Sequence, residues 1–165
     1  MGGESSDRSK HPLPENLSCD AYKNHLITQN KLPTTCEGYL LNPLNMLAFP
    51  CLFTLDRRTG ELKPDVERCA AVIFIDNHYP STAELVQKTI DHLNLNCYRL
   101  NEQRLALLHE YNQHIKRARL HNDPQVFAKL ATRWFQKRWP SFFTTRRILL
   151  GQYAETHLHT LAYNG

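Results

Sequence analysis

Three prolines in quick succession decide what the first half of this chain can become. Leu32-Pro33, Asn42-Pro43 and Phe49-Pro50 each push the residue before proline out of the helical region, so no long helix can run across residues 32–50. Ahead of them, residues 19–29 suit a short helix. Residues 1–15, with Gly, Ser and Pro and few apolar anchors, read as a flexible arm. Behind them, CLFTLDRRTGELKP (51–64) sets the polar turn Asp56-Arg57-Arg58-Thr59-Gly60 between two strand-like segments. Gly60 suits the positive φ of such a turn, and a small β-hairpin is predicted. Val72-Ile73-Phe74-Ile75 reads either as a further strand or as a buried linker.

The second half is patterned for helices. Ser81 and Glu84 have capping-box spacing ahead of a stripe of Ala83, Val86, Ile90 and Leu93. Asn96 is placed to cap the next helix, over 97–121, in which Leu100, Arg104, Leu108, Tyr111, Ile115 and Ala118 share a face. Lys116, Arg117 and Arg119 stand near its end, where cations suit the macrodipole. Asp123-Pro124 marks the start of a third helix, stopped by Pro140, with Val126, Phe127, Leu130, Ala131 and Trp134 facing a core and Lys129, Arg133 and Lys137 on another side. Residues 141–153 predict a fourth.

At 165 residues and 41% hydrophobic content the chain has enough apolar material for one modest core, expected over residues 16–165. No run approaches the roughly 20 apolar residues of a membrane span, and the polar start is unlike a signal sequence, so a soluble, cytoplasmic chain is expected. Cys19, Cys36, Cys51, Cys69 and Cys97 are odd in number and never form C-x-x-C, so they read as buried thiols. The formal charge is +4, yet from Arg99 to Arg147 eleven Lys or Arg face three Asp or Glu, leaving the rest net acidic. Such basic helices either neutralise phosphates or present a solvated face. Trp134, Phe135, Trp139, Phe142 and Phe143 are spaced for a core, with base stacking the alternative. His157-Leu158-His159 reads as part of a fraying tail, and His78, His92, His109, His114 and His121 share no spacing that suggests one site. No phosphate-binding glycine loop or Ser-His-Asp triad is recognisable.

Thr89-Ile90, Leu93-Asn94-Leu95-Asn96, Leu100 and Arg104 resemble the T-I-x-x-L-x-L-N…L…R signature that follows the HNH core in nucleases of the retron and Septu anti-phage type. Leu41-Asn42-Pro43, followed by the hairpin with Asp56 and Gly60, is similar to the same family's N-P…F…G-x-(I/L)-x-P passage. Pro140-Ser141-Phe142 with Arg146-Arg147 resembles its closing helix, so the likeness covers residues 16–150. Read simply as residues, Ile90, Leu93 and Leu95 are helix-face anchors, while Asn94 and Asn96 can end one helix and cap the next.

The resemblance implies a ββα metal finger. In it one histidine activates water, an asparagine organises the turn, and a helix residue helps hold Mg²⁺ or Mn²⁺ for phosphodiester hydrolysis of DNA or RNA. NLSCDAYKNH (16–25) is similar to the N-L…S-C-x-x-C-N-x-x-K segment, with Asn16 at the turn and Cys19 as the first cysteine. Tyr22 replaces the second cysteine, so no structural zinc is expected. Two alignments remain for the helix ligand: N-x8-H spacing selects His25, whereas aligning on Ser18-Cys19 selects Lys23, with Asn24 beside it. His11, the candidate base, stands only five residues before Asn16, too close for a preceding strand and loop. The expected fold is therefore α-rich α+β: a finger remnant and hairpin over 16–80, then a bundle of three to four helices over 81–153, from a truncated reading frame, a fragment or a degenerate copy.

The candidate catalytic residues are His11, Asn16 and His25, the last also as metal ligand. Lys129, Arg133, Lys137, Arg146 and Arg147 are candidate nucleic-acid contacts. The competing reading is a noncatalytic interaction module that binds a partner, such as the ATPase subunit that usually accompanies such nucleases, through an apolar helix face that the missing finger leaves uncovered.

Overall fold

The hairpin forms where its turn chemistry places it. In the computed structural model, which describes residue 15 and residues 17–160, β1 (Phe53–Leu55) and β2 (Leu62–Pro64) pair antiparallel, with Phe53 opposite Pro64 and Leu55 opposite Leu62. Lys63 Nζ donates to Asp56 Oδ2 at 2.8 Å, and the Arg58 and Thr59 N–H groups donate to Oδ1 at 2.9 and 3.2 Å. Those donors, Lys63 foremost, hold the Asp56 carboxyl well below the usual carboxylate range. Gly60 has φ 77°, and a Cβ there would stand 2.4 Å from the carbonyl oxygen of Asn101, so both backbone conformation and space require glycine.

The chain divides into two compact units at Gln103/Arg104. The first holds the hairpin, α1 (Asp20–Thr28), α2 (Val66–Ala70), α3 (Thr82–His92) and the start of α4 (Tyr98–Leu120). Ser81 Oγ accepts from the Glu84 N–H at 3.2 Å, capping α3 as its sequence predicts. The buried face of α3 is Thr82, Leu85, Val86, Thr89 and Ile90, whereas Ala83 and Leu93 are half-buried. This face is wider than the predicted stripe because α3 packs against β2, α2 and α1 together. Cys51, Cys69 and Cys97 are buried free thiols, while Cys19 and Cys36 are half-buried.

Residues 72–75 are neither strand nor buried linker. They pair with no strand among the described residues, and Ile73 and Ile75 are 88% and 97% exposed. Their β-branched character reflects local propensity, and a strand needs a partner edge that this unit does not offer them.

The second unit holds the remainder of α4 with α5 (Val126–Trp134), α6 (Phe143–Leu150) and α7 (Gln152–Thr160), the last three in mutual contact. Helix α5 starts later than Asp123-Pro124 predicts, because Asp123 Oδ1 accepts from the Gln125 N–H at 3.0 Å and makes a turn of those residues. It also ends well before Pro140: Phe135 and Trp139 turn back to pack on Phe143, with ring centroids 5.4 and 4.9 Å away. The predicted fourth helix is two helices, divided at Gly151 with φ 53°. His157-Leu158-His159 therefore lies inside α7 rather than in a fraying tail, and Leu158 is buried. Trp134, Phe135 and Phe143 are buried, which places them in the core. No described helix is long and apolar enough to cross a membrane.

Candidate functional site

The family-like residues at the end of α3 clasp the segment that leads into α1. Cys19 N donates to the Leu93 carbonyl at 2.7 Å. Asn94, left-handed at φ 46°, ends α3, and its Nδ2 donates to the carbonyls of Glu15 and Leu17 at 3.1 and 2.8 Å. Arg99 Nη2 donates to the fully buried Ser18 Oγ at 2.7 Å. Asn96 does not cap α4 as expected. Its Oδ1 accepts from Leu62 N at 2.8 Å and its Nδ2 donates to Leu62 O at 2.9 Å, closing the outer edge of β2. A primary amide carries one acceptor and donors side by side, matching the N–H and C=O that β2 turns away from β1. Thr89 Oγ1 accepts from Leu41 N at 3.0 Å, and Ile90, Leu100 and Arg104 are buried, so the signature is scaffolding throughout.

What this scaffold holds is the start of α1. His25 lies in the last turn of α1, half-buried and stacked on Tyr22 with centroids 6.0 Å apart. Asn16 and His11 lie outside the described residues. Lys23, the alternative helix position, donates to Asp20 at 2.8 Å, which raises its pKa. Lys23 also borders a cavity of about 480 Å³, together with Glu37, Asn42 and Asp76, over Leu85. Among the described residues no three His, Cys, Asp or Glu side chains converge as a metal-binding group, so His25 has no companion ligands there.

The candidate phosphate contacts separate in the second unit. Arg147 is 2% exposed, its Nε and Nη2 donating to the two carboxylate oxygens of Glu155 at 2.7 and 2.8 Å; it links α6 to α7 and presents no surface to a phosphate. Arg146 lies half-buried over the Trp134 ring, 4.9 Å from its centroid, and Nε donates to the Ser141 carbonyl at 2.9 Å; burial lowers its pKa. Lys137 is exposed in the bend beyond α5. Lys129 and Arg133 come together in a groove of about 260 Å³ between α5 and the end of α4. Three residues that the sequence reading assigned to no site join them there: His114, Arg117 and His121. The signal was present as spacing. Residues 114, 117, 118 and 121, and again 126, 129, 130 and 133, recur at i, i+3, i+4 and i+7, so each set occupies one helical face.

Fold and site together describe a helix-rich chain with a small antiparallel sheet, in which HNH-type signature residues hold a short segment against the start of a helix. No family model and no solved structure matches the chain. Over 142 residues, 84% of its length, it is 36% identical to an Escherichia coli protein described as "Retron Ec83 putative HNH endonuclease". That likeness supports a relationship to HNH endonucleases of the retron type. The chain spans about half, 52%, of that relative's length.

Proposed function

We propose that the chain is an HNH-related nuclease, or a subunit derived from one, that acts on nucleic acid in anti-phage defence by metal-dependent phosphodiester hydrolysis. The observation that carries this reading is the clasp. Asn94 bonds the carbonyls on either side of Asn16, and Leu93 and Arg99 fix Cys19 and Ser18, so the family signature is spent on orienting the segment where the resemblance locates the finger. In this reading His25 is the helix-borne ligand for Mg²⁺ or Mn²⁺, Asn16 organises the turn, and His11 is the candidate base. The described residues do not by themselves compose a metal site.

The test is cleavage of plasmid and single-stranded DNA with Mg²⁺ or Mn²⁺, with EDTA as control. Intact chain should cut in a metal-dependent manner, and His25→Ala and Asn16→Ala should each lose about a hundredfold or more, as expected when a group acting at the reacting centre is removed. Metal-loaded intact chain that leaves both substrates whole overturns the reading. A noncatalytic module that binds a partner such as an ATPase subunit is the second reading, and the exposed apolar side chains of Leu44, Ile73 and Ile75, which lie outside the α-helices, are where it is tested. It predicts co-purification that is lost on Ile73→Ser/Ile75→Ser, and an unchanged monomer with no captured ATPase would count against it.

A further inference from the structure

We propose that the groove between the end of α4 and α5 binds the phosphodiester backbone of a nucleic-acid strand. The inference rests on the reading that nucleic acid is the ligand, and it assigns a place and residues to that contact. Arg117 and His121 from the end of α4 and its following turn, and Lys129 and Arg133 from α5, line one concave surface of about 260 Å³. His114 stands one turn further back on α4. Ala118, Val126 and Leu130 form its apolar floor. Two facing helical stripes thus carry cations at the rim and small or aliphatic residues below, the relief that seats a charged backbone rather than an apolar ligand.

The charge balance points the same way. One carboxylate, Asp123, lines the groove; its Oδ2 accepts from Lys129 Nζ at 2.9 Å and its Oδ1 from Gln125 N. Lys129, as donor, and the Gln125 amide hold that carboxyl below its usual range. Glu110 approaches His114 Nε2 at 3.6 Å but does not line the groove. Arg117 and Arg133 have no ion-pair partner among the described residues and are exposed. Cations near a helix C-terminus also complement its dipole, which accounts for Arg117 and Arg133 but not for Lys129, near the start of the facing helix. Two unpaired guanidinium groups and a lysine that can share its charge provide about three phosphate contacts, with the two imidazoles as further hydrogen-bond donors.

The experiment is fluorescence anisotropy of the full chain with labelled single-stranded DNA, single-stranded RNA and duplex DNA, all in EDTA so that cleavage plays no part. With about three strand contacts at about 0.7 counterions each, affinity should fall about twentyfold between about 50 and 200 mM salt. Arg117→Gln/Arg133→Gln should flatten that loss to about threefold, because about one contact is left. Both positions are exposed, and an unchanged circular dichroism spectrum and melting temperature would show that the variant folds. Salt-sensitive binding in EDTA by an intact chain that cuts neither substrate when metal is supplied would overturn the nuclease reading and leave the groove standing, whereas cleavage by a chain that shows no such binding would overturn the groove alone. Preference among the three probes identifies the natural strand type. Equal salt dependence in the intact chain and the double variant, or no binding of any probe at the lower salt, overturns the groove.

Discussion

His92 closes α3 with its Nδ1 buried and without a hydrogen-bond partner among the described residues. Burial first, and Lys88 second, push its pKa below the ordinary 6.5. The unfolded chain therefore takes up this proton more readily than the folded one. Stability present at neutral pH should be lost as the pH falls from about 6.5 through the lower folded value. Urea midpoints measured at about pH 7.5 and pH 5.5 should show this loss, and His92→Gln should reduce the difference between the two. A histidine at a helix end is easily read as a cation for the dipole; here burial disfavours its charged form.

At the scale of elements, the hairpin is held from outside by one side chain. Asn96→Ala should leave both backbone groups of Leu62 without their partner and cost about 2 kcal/mol, read from urea unfolding. Asn96→Asp should not restore it, since a carboxylate can accept from Leu62 N but sets a second oxygen against Leu62 O. The sequence made the hairpin legible because Asp56 and Gly60 act within the turn itself. It could not say what Asn96 would bond, since a partner 34 residues away is chosen by packing and not by spacing. The division of 141–160 into α6 and α7 belongs to the same class: Gly151 breaks the helix locally, but Ala154 and Leu158 reveal themselves as a buried face only against α5 and α6.

Across the whole molecule the charges are unevenly spread, with the cations of residues 99–147 set against a net acidic remainder. That asymmetry alone does not distinguish a binding surface from a solvated one. Arg147 is consumed by Glu155 and Arg146 lies on Trp134, whereas Arg117, Lys129 and Arg133 face a common groove. Binding should accordingly depend on place and not on net charge. Arg57→Gln/Arg58→Gln, which removes two exposed cations from the hairpin turn, should leave affinity for single-stranded DNA within about twofold by anisotropy. The groove variant, with the same change in net charge, should weaken it severalfold at low salt.

The sequence by itself determined the elements whose causes lie within a few residues: the Gly60 turn, the Ser81 cap, the proline-broken stretch before the hairpin and the long helix α4. It also carried the family signature, which relatedness over 84% of the chain bears out. Tertiary structure alone decided which signature groups act as scaffolding, that Ile73 and Ile75 stay uncovered, and which cations share a groove. The division follows from range. Turns and caps satisfy their hydrogen bonds locally, whereas burial, ion pairing and the partner of an amide depend on groups that only folding brings together.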